Sequence, residues 1–159
     1  ITTPGFVEYS RENMVKGAEE AGKDPEDVDL GSVIVGSVHE TDSEKGKQGA
    51  REMASMYLAN KVQNIRGSAD KILENAGLTF EEIEPIAEAM ERGGRKAAAE
   101  AVTDSVLEKV SPIAGTPTDC IDRIKEFKDA GCTHILLEIW GDNRQEQAKI
   151  FGEKVLPHV

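Results

Sequence analysis

Two short runs constrain this chain more than any other feature. LGSVIVGSV, residues 30–38, and THILLEIW, residues 133–140, are apolar almost without alternation. A strand with one wet face alternates between apolar and polar, so a nearly continuous run suits a strand buried on both faces, as in a parallel sheet. Each run follows a helical segment that stops at Ala-Gly (Ala21-Gly22 and Ala130-Gly131), and each gives way to polar loop residues. Helix, stop, buried strand and polar loop, repeated in that order, predict an α/β protein with a parallel sheet.

Only two strands are evident, and two parallel strands would leave apolar edges unpaired. The expected architecture is therefore the C-terminal part of a TIM-like (β/α)8 barrel, a fold of about eight strands, with the N-terminal strands missing. On this reading residues 1–159 are the C-terminal portion of one barrel domain, with a helical insertion at about 43–110. The opening Ile-Thr-Thr-Pro, without an initiator Met, agrees with that expectation.

The intervening segments read as helices. PGFVEYSRENMVKGAEEAG carries Phe6, Val7, Met14, Val15 and Ala18 on an approximate stripe, and Asp24-Pro25 starts a short turn. From Ser43 to about Asn60 the positions Ala50, Met53, Ala54, Tyr57 and Leu58 follow the i, i+3, i+4, i+7, i+8 spacing of a buried face. A shorter helix is expected over Ala69–Ala76, stopping at Gly77. Thr79 and Glu82 form a capping-box pattern that opens the next helix, to about Arg92. Gly93-Gly94 is expected to break it, with resumption over Arg95–Val110. Thr116, Pro117 and Asp119 then stand as N-cap, N1 and N3 of a helix buried along Ile121, Ile124 and Phe127, with Gly131 placed to end it. A last helix is expected at about Arg144–Lys154.

The formal charge of −11 excludes broad contact with nucleic acid or an anionic membrane, since both need a positive face. No apolar run approaches the ~20 residues of a membrane span. Cys120 and Cys132, without CxxC spacing or an adjacent histidine, read as small buried hydrophobes in a reducing cytoplasm, not as a zinc site or a disulfide.

Several stretches together resemble a known family. Gly115-Thr116-Pro117, followed by Asp119-Cys120-Ile121 and then Ala130-Gly131-x-Thr133-His134-Ile135, resembles the C-terminal signature of the bacterial luciferase-like family. More narrowly it is similar to the archaeal coenzyme F420-dependent methylenetetrahydromethanopterin reductases. Ala21-Gly22-Lys23-Asp24-Pro25, Ala101-Val102-Thr103-Asp104 and Gly152-Glu153-Lys154-Val155-Leu156-Pro157 support the match, which runs from about Phe6 to Val159. The resemblance implies a barrel binding a deazaflavin or flavin at the C-terminal ends of its strands, and hydride transfer to a one-carbon pterin as the chemistry. The implied cofactor is coenzyme F420, with FMN and a monooxygenase activity as the alternative. A cytoplasmic homo-oligomer acting on a small molecule is the implied form. Because the resemblance puts most of the family's ring-contacting and acid/base residues on strands outside this sequence, the chain alone is expected to be inactive. One departure stands at the catalytic end of the last strand: the family pattern Gly-Ser-Pro is replaced by Leu137-Glu138-Ile139-Trp140-Gly141-Asp142-Asn143.

Strand ends of a barrel face its active site, which selects Ser37 and His39 at the first run and Glu138 and Trp140 at the second as cofactor- or substrate-binding candidates. His39 has an unperturbed pKa near neutrality and is suited to hydrogen bonding or proton relay; its bland reading is a surface loop histidine. Glu138, an acid within an apolar strand, must meet a polar site or a cation. Trp140 can stack on a planar ring or seal the barrel mouth. Arg95 belongs to the cationic Arg92-Gly93-Gly94-Arg95-Lys96 cluster at a helix restart, where phosphate can bind; a solvated helix break is the alternative. His134 lies at the opposite, stability end. No catalytic residue and no metal ligand is assigned. A non-catalytic module of the same fold, using Met53, Met56, Tyr57 and Leu58 as an interface, is the reading from another class.

Overall fold

In the computed structural model the backbone is described for residues 1–64 and 70–159, and side chains for 1–60 and 73–159. The helices are α1 (Pro4–Glu20), α2 (Ser43–Asn64), α3 (Asp70–Asn75), α4 (Phe80–Ala101), α5 (Asp104–Val110), α6 (Pro117–Asp129) and α7 (Arg144–Ile150). The strands are β1 (Gly31–Val38), β2 (Ile113–Gly115) and β3 (His134–Ile139), forming one sheet in the order β2-β1-β3. Both pairings are parallel, with Gly31 opposite His134 and Gly36 opposite both Ile139 and Ile113.

The sequence expectation of two strands is therefore corrected to three among the described residues. β2 has only three residues and pairs with the last three positions of β1, Gly36 to Val38. So short a segment carries no periodicity of its own; its strand form comes from lying along β1.

The expectation of strands buried on both faces is also corrected. Side chains alternate across a strand, so Ile34 and Val38 share a face with Ile113. That face packs with Cys120, Ile124 and Phe127 of α6 and with Ile150, Phe151 and Val155 at the end of the chain. On the opposite face α2 covers Val35, but Val33 and Leu136 are 59% and 53% exposed. A second core joins α2, α4 and α5 through Met53, Leu58, Ile83, Ile86 and Leu107. Met53 and Leu58 belong to this core, whereas Met56 is half-buried and Tyr57 exposed, so half of the stripe proposed as an interface is spent inside the chain.

Helix boundaries follow local chemistry. Phe6 N–H donates to Thr3 Oγ1 at 3.2 Å to cap α1, with Pro4 as its first residue. Glu82 Oε2 accepts from Thr79 N at 2.9 Å at the start of α4. That helix is kinked at Gly94 (φ 69°) but runs on to Ala101, where the expected single helix to Val110 divides. Thr103 Oγ1 accepts from Val106 N at 3.2 Å and begins α5 separately. The expected start of α3 at Ala69 lies outside the described residues. The predicted last helix ends early, passing at Phe151 into a π-helical turn to Val155 that turns both of those side chains into the core.

At the N-terminal end of the sheet, Thr133 N donates to Leu30 O at 3.0 Å and Leu30 N donates to Thr133 Oγ1 at 2.9 Å, and that hydroxyl in turn donates to Asp29. One threonine thus sets the register of β3 against β1 before either strand begins.

Candidate functional site

The C-terminal ends of β1, β2 and β3 lie side by side and meet the start of α2. This close approach needs two glycines. A Cβ at Gly46 would overlap the Gly115 carbonyl, and one at Gly49 would overlap the Trp140 carbonyl and crowd Ser37 Oγ. Gly46 and Gly49 are separated by three positions and so share one helix face. They let α2 press its backbone onto the crest of the sheet.

Around this contact is a cavity of about 450 Å³, lined by Ser37 at the end of β1, by His39 and Glu40 after it, by Lys45 and Glu52 of α2, and by Asp142 and Glu146 beyond β3, among others. The His39 backbone N–H donates to Gly115 O at 3.0 Å. Its ring Nδ1 accepts from Thr41 N at 3.3 Å and from Asp42 N at 3.1 Å. Nδ1 is thereby the acceptor nitrogen, and the neutral ring carries its proton on Nε2. The loop this creates delivers Asp42 to cap α2: Asp42 Oδ1 accepts from Lys45 N at 3.2 Å. That backbone N–H holds the Asp42 carboxyl below its ordinary value, outweighing the opposing effect of burial. Glu40 is held low by the hydrogen bond and charge of Lys154.

The opposite wall is organised by Gln147, 6% exposed. Its Oε1 accepts from Val38 N at 2.9 Å, and its Nε2 donates to Trp140 O at 2.9 Å and to Asp142 O at 2.7 Å. Asn143, with φ 52°, turns the chain into α7. The Trp140 ring lies beneath Arg144, whose Cζ is 5.8 Å from the ring centroid, within cation–π range.

The expected site residues thus fall in three places. Ser37 and His39 line the main cavity. Trp140 adjoins it through its carbonyl, which touches Gly49 and Gln147. Glu138 faces a smaller hollow of about 110 Å³ on the open side of the sheet, with Val33, Val35, Met53 and Tyr57. It pairs with no cation among the described residues; it avoids the cost of burial by standing exposed. Arg95 is exposed on α4, just past the Gly94 kink, and lines neither hollow.

Sequence reasoning missed Gln147, Gly46, Gly49 and Gly115 as parts of this region. The Gly-x-x-Gly spacing in a helix start was the available signal for a close backbone approach; nothing local distinguishes Gln147. Near the crest, Asp119 accepts from Thr116 N at 2.7 Å and from Ser43 Oγ at 2.9 Å, tying α6 to the start of α2. Burial raises the Asp119 carboxyl, but the hydrogen bonds of Thr116 and Ser43 outweigh it and leave the group below its usual value. Among the described residues no cluster of three or more His, Cys, Asp or Glu is arranged to hold a metal. No helix among them is long and apolar enough to cross a membrane.

Comparison with known proteins places this geometry in context. A family model described as luciferase-like monooxygenase matches residues 2–134. The 5,10-methylenetetrahydromethanopterin reductase of Methanopyrus kandleri is 29% identical over 99% of this chain and 43% of its own length. The reductase of the same name from Methanolobus tindarius is 32% identical over 96% of the chain and 45% of its own. The solved structure of a coenzyme F420 dependent tetrahydromethanopterin reductase from Methanopyrus kandleri superposes with a TM-score of 0.81 at 26% identity, over 98% of this chain and 43% of that one. The chain spans less than half the length of these relatives.

Proposed function

The chain belongs to the luciferase-like monooxygenase family, and on that premise we propose that it forms part of a coenzyme F420-dependent oxidoreductase acting on a one-carbon pterin of the methylenetetrahydromethanopterin kind. What supports the reading most is that relatives bearing that activity in their names align with 96–99% of the chain. The cavity at the strand ends is where such a fold places its ligands.

The remainder of the barrel is part of this proposal. Val33 and Leu136 are mid-strand apolar residues standing 59% and 53% exposed, a state that further strands facing them would relieve. The helical segment Ser43–Val110 is then an insertion between barrel strands, and this chain by itself is expected to show no turnover.

The residues present fit one portion of the cofactor–substrate pair better than another. Among the described residues Glu40, Glu52, Asp142 and Glu146 face the cavity against Lys45 alone of the lysines and arginines. Such a lining repels phosphate and carboxylate tails and accepts from ring N–H groups. The ring portion of the deazaflavin or of the pterin is therefore what Ser37, His39 and the neighbouring carboxylates would hold. The anionic tails go elsewhere. When bound, the reduced deazaflavin supplies the hydride. The chain's own residues supply orientation and a shielded wall: the Ser37 hydroxyl can donate or accept at the cavity floor, and the His39 Nε2–H can donate to a ring carbonyl.

Absorbance titration of the full-length protein with coenzyme F420 and, separately, with FMN tests the proposal. Saturable binding of F420 and weak or absent binding of FMN is expected. Preferential FMN binding, or binding of neither, overturns it.

A further inference from the structure

Gln147 stands where a main-chain hydrogen bond of the sheet would otherwise be. In a parallel ladder one residue bonds two positions on its neighbour, through its N–H on one side and its C=O on the other. Trp140 makes the first of these, donating to Gly36 O at 2.9 Å. The second would run from Val38 N to Trp140 O. Instead Val38 N donates to Gln147 Oε1 at 2.9 Å, and Gln147 Nε2 donates to Trp140 O, also at 2.9 Å. The side-chain amide, one acceptor and two N–H donors, is spliced into the ladder as a substitute peptide, and its second N–H goes to Asp142 O at 2.7 Å. Both of its N–H donors and its carbonyl oxygen are thereby engaged in a site 6% exposed.

We infer that Gln147 is a positioning residue for the ligand-binding mouth. By separating the ends of β1 and β3 by the width of one amide, it opens the sheet where the cavity lies. It also fixes three things at once: the end of β1 that leads into His39, the carbonyl that orients Trp140, and the turn at Asp142. The consequence for ligand affinity rests on the functional reading above; the substituted rung does not.

The test is the near-isosteric Q147E. Its carboxylate can still accept from Val38 N–H, but it presents no proton to the carbonyls of Trp140 and Asp142; protonation restores one donor. His39, Glu40, Lys45, Glu52, Asp142 and Glu146 line the same cavity, so the wild-type protein supplies the baseline for their own titration. Trp140 emission is isolated in the full-length protein by difference against Trp140→Phe. In Q147E it is expected to depart from wild type at about pH 9 and to return on acidification at a pH above the ordinary glutamic acid range of about 4–5, because burial and the two facing carbonyls disfavour the carboxylate. F420 affinity is expected to fall about tenfold at the higher pH, as losing hydrogen bonds to buried carbonyls implies, and to recover most of that at the lower. Wild-type emission and affinity in Q147E at both pH values overturn the inference. If wild type binds no F420 while Q147E emission is pH-dependent, the functional reading fails and the clamp stands. Should Q147E not fold, the wild-type protein decides: slow exchange of the Gln147 side-chain amide protons and of the Val38 N–H is expected, and fast exchange of both overturns the clamp.

Discussion

On one face of the sheet Ile34, Val38 and Ile113 are 3%, 4% and 0% exposed beneath α6 and the end of the chain, whereas on the other Val33 and Leu136 are 59% and 53% exposed. The residue types are alike and the surroundings opposite. Burial of such side chains stabilises by about 25 cal/mol per Å² of apolar surface, so the covered face holds this chain together and the open face holds that stabilisation in reserve. What the contrast teaches is that an unalternating apolar strand marks two surfaces needing cover, and this chain supplies cover for one of them and part of the second.

Substitutions can break the contrast or sharpen it. Phe127, fully buried beneath the covered face, should cost about 3–5 kcal/mol when replaced by alanine, read as a lowered urea midpoint with unchanged slope. Gly46→Ala should cost about 1–3 kcal/mol or more, because the added methyl meets the Gly115 backbone instead of a yielding side chain; a smaller loss by thermal melting would show that α2 does not press on the crest. Asp119→Asn removes the carboxylate that Thr116 and Ser43 share, at about 1 kcal/mol. Because that carboxyl is held below its ordinary value, its contribution is present above the unfolded pKa, about 4, and is lost as pH falls through the folded value. The asparagine variant should therefore lose less stability on acidification than wild type does. Leu136→Ala should cost under about 0.5 kcal/mol in this chain, as exposed sites do; a loss of core size in the full-length protein would show that further elements cover the open face. At the end of the scale, Cys120 should resist alkylation until the protein unfolds, since burial, with a lesser effect from Asp119, pushes its thiol up to about 12.

What the sequence made legible was what local chemistry decides. Thr116 and Asp119 bond as the capping pattern requires, Gly131 takes up φ 97° at the helix stop, and Gly94 bends α4 where the glycine pair stands. The strands were visible because buried runs need few neighbours to be identified. β2 was not: three residues become a strand only because β1 lies beside them. Ser37 and His39 could be placed beside a cavity because strand ends form mouths, a rule of topology. Gln147 escaped because its partners sit 109 positions earlier in one case and seven in another, and no window of sequence joins them. The placement of Arg95 away from the cavity was equally out of reach, since charge near glycine says nothing about which way a kinked helix leads.

Thr133 gives the frame a division of labour. It secures the relative offset of β1 and β3 at their beginnings, some six residues away from the mouth where they end. An offset pinned at one end leaves the other end at liberty to change its chemistry without sliding the strands. Residues 137–143 at the far end are therefore free to vary while Thr133 holds the offset. A scaffold built this way can be handed from one substrate to another, and its most recognisable residues will keep no record of the exchange.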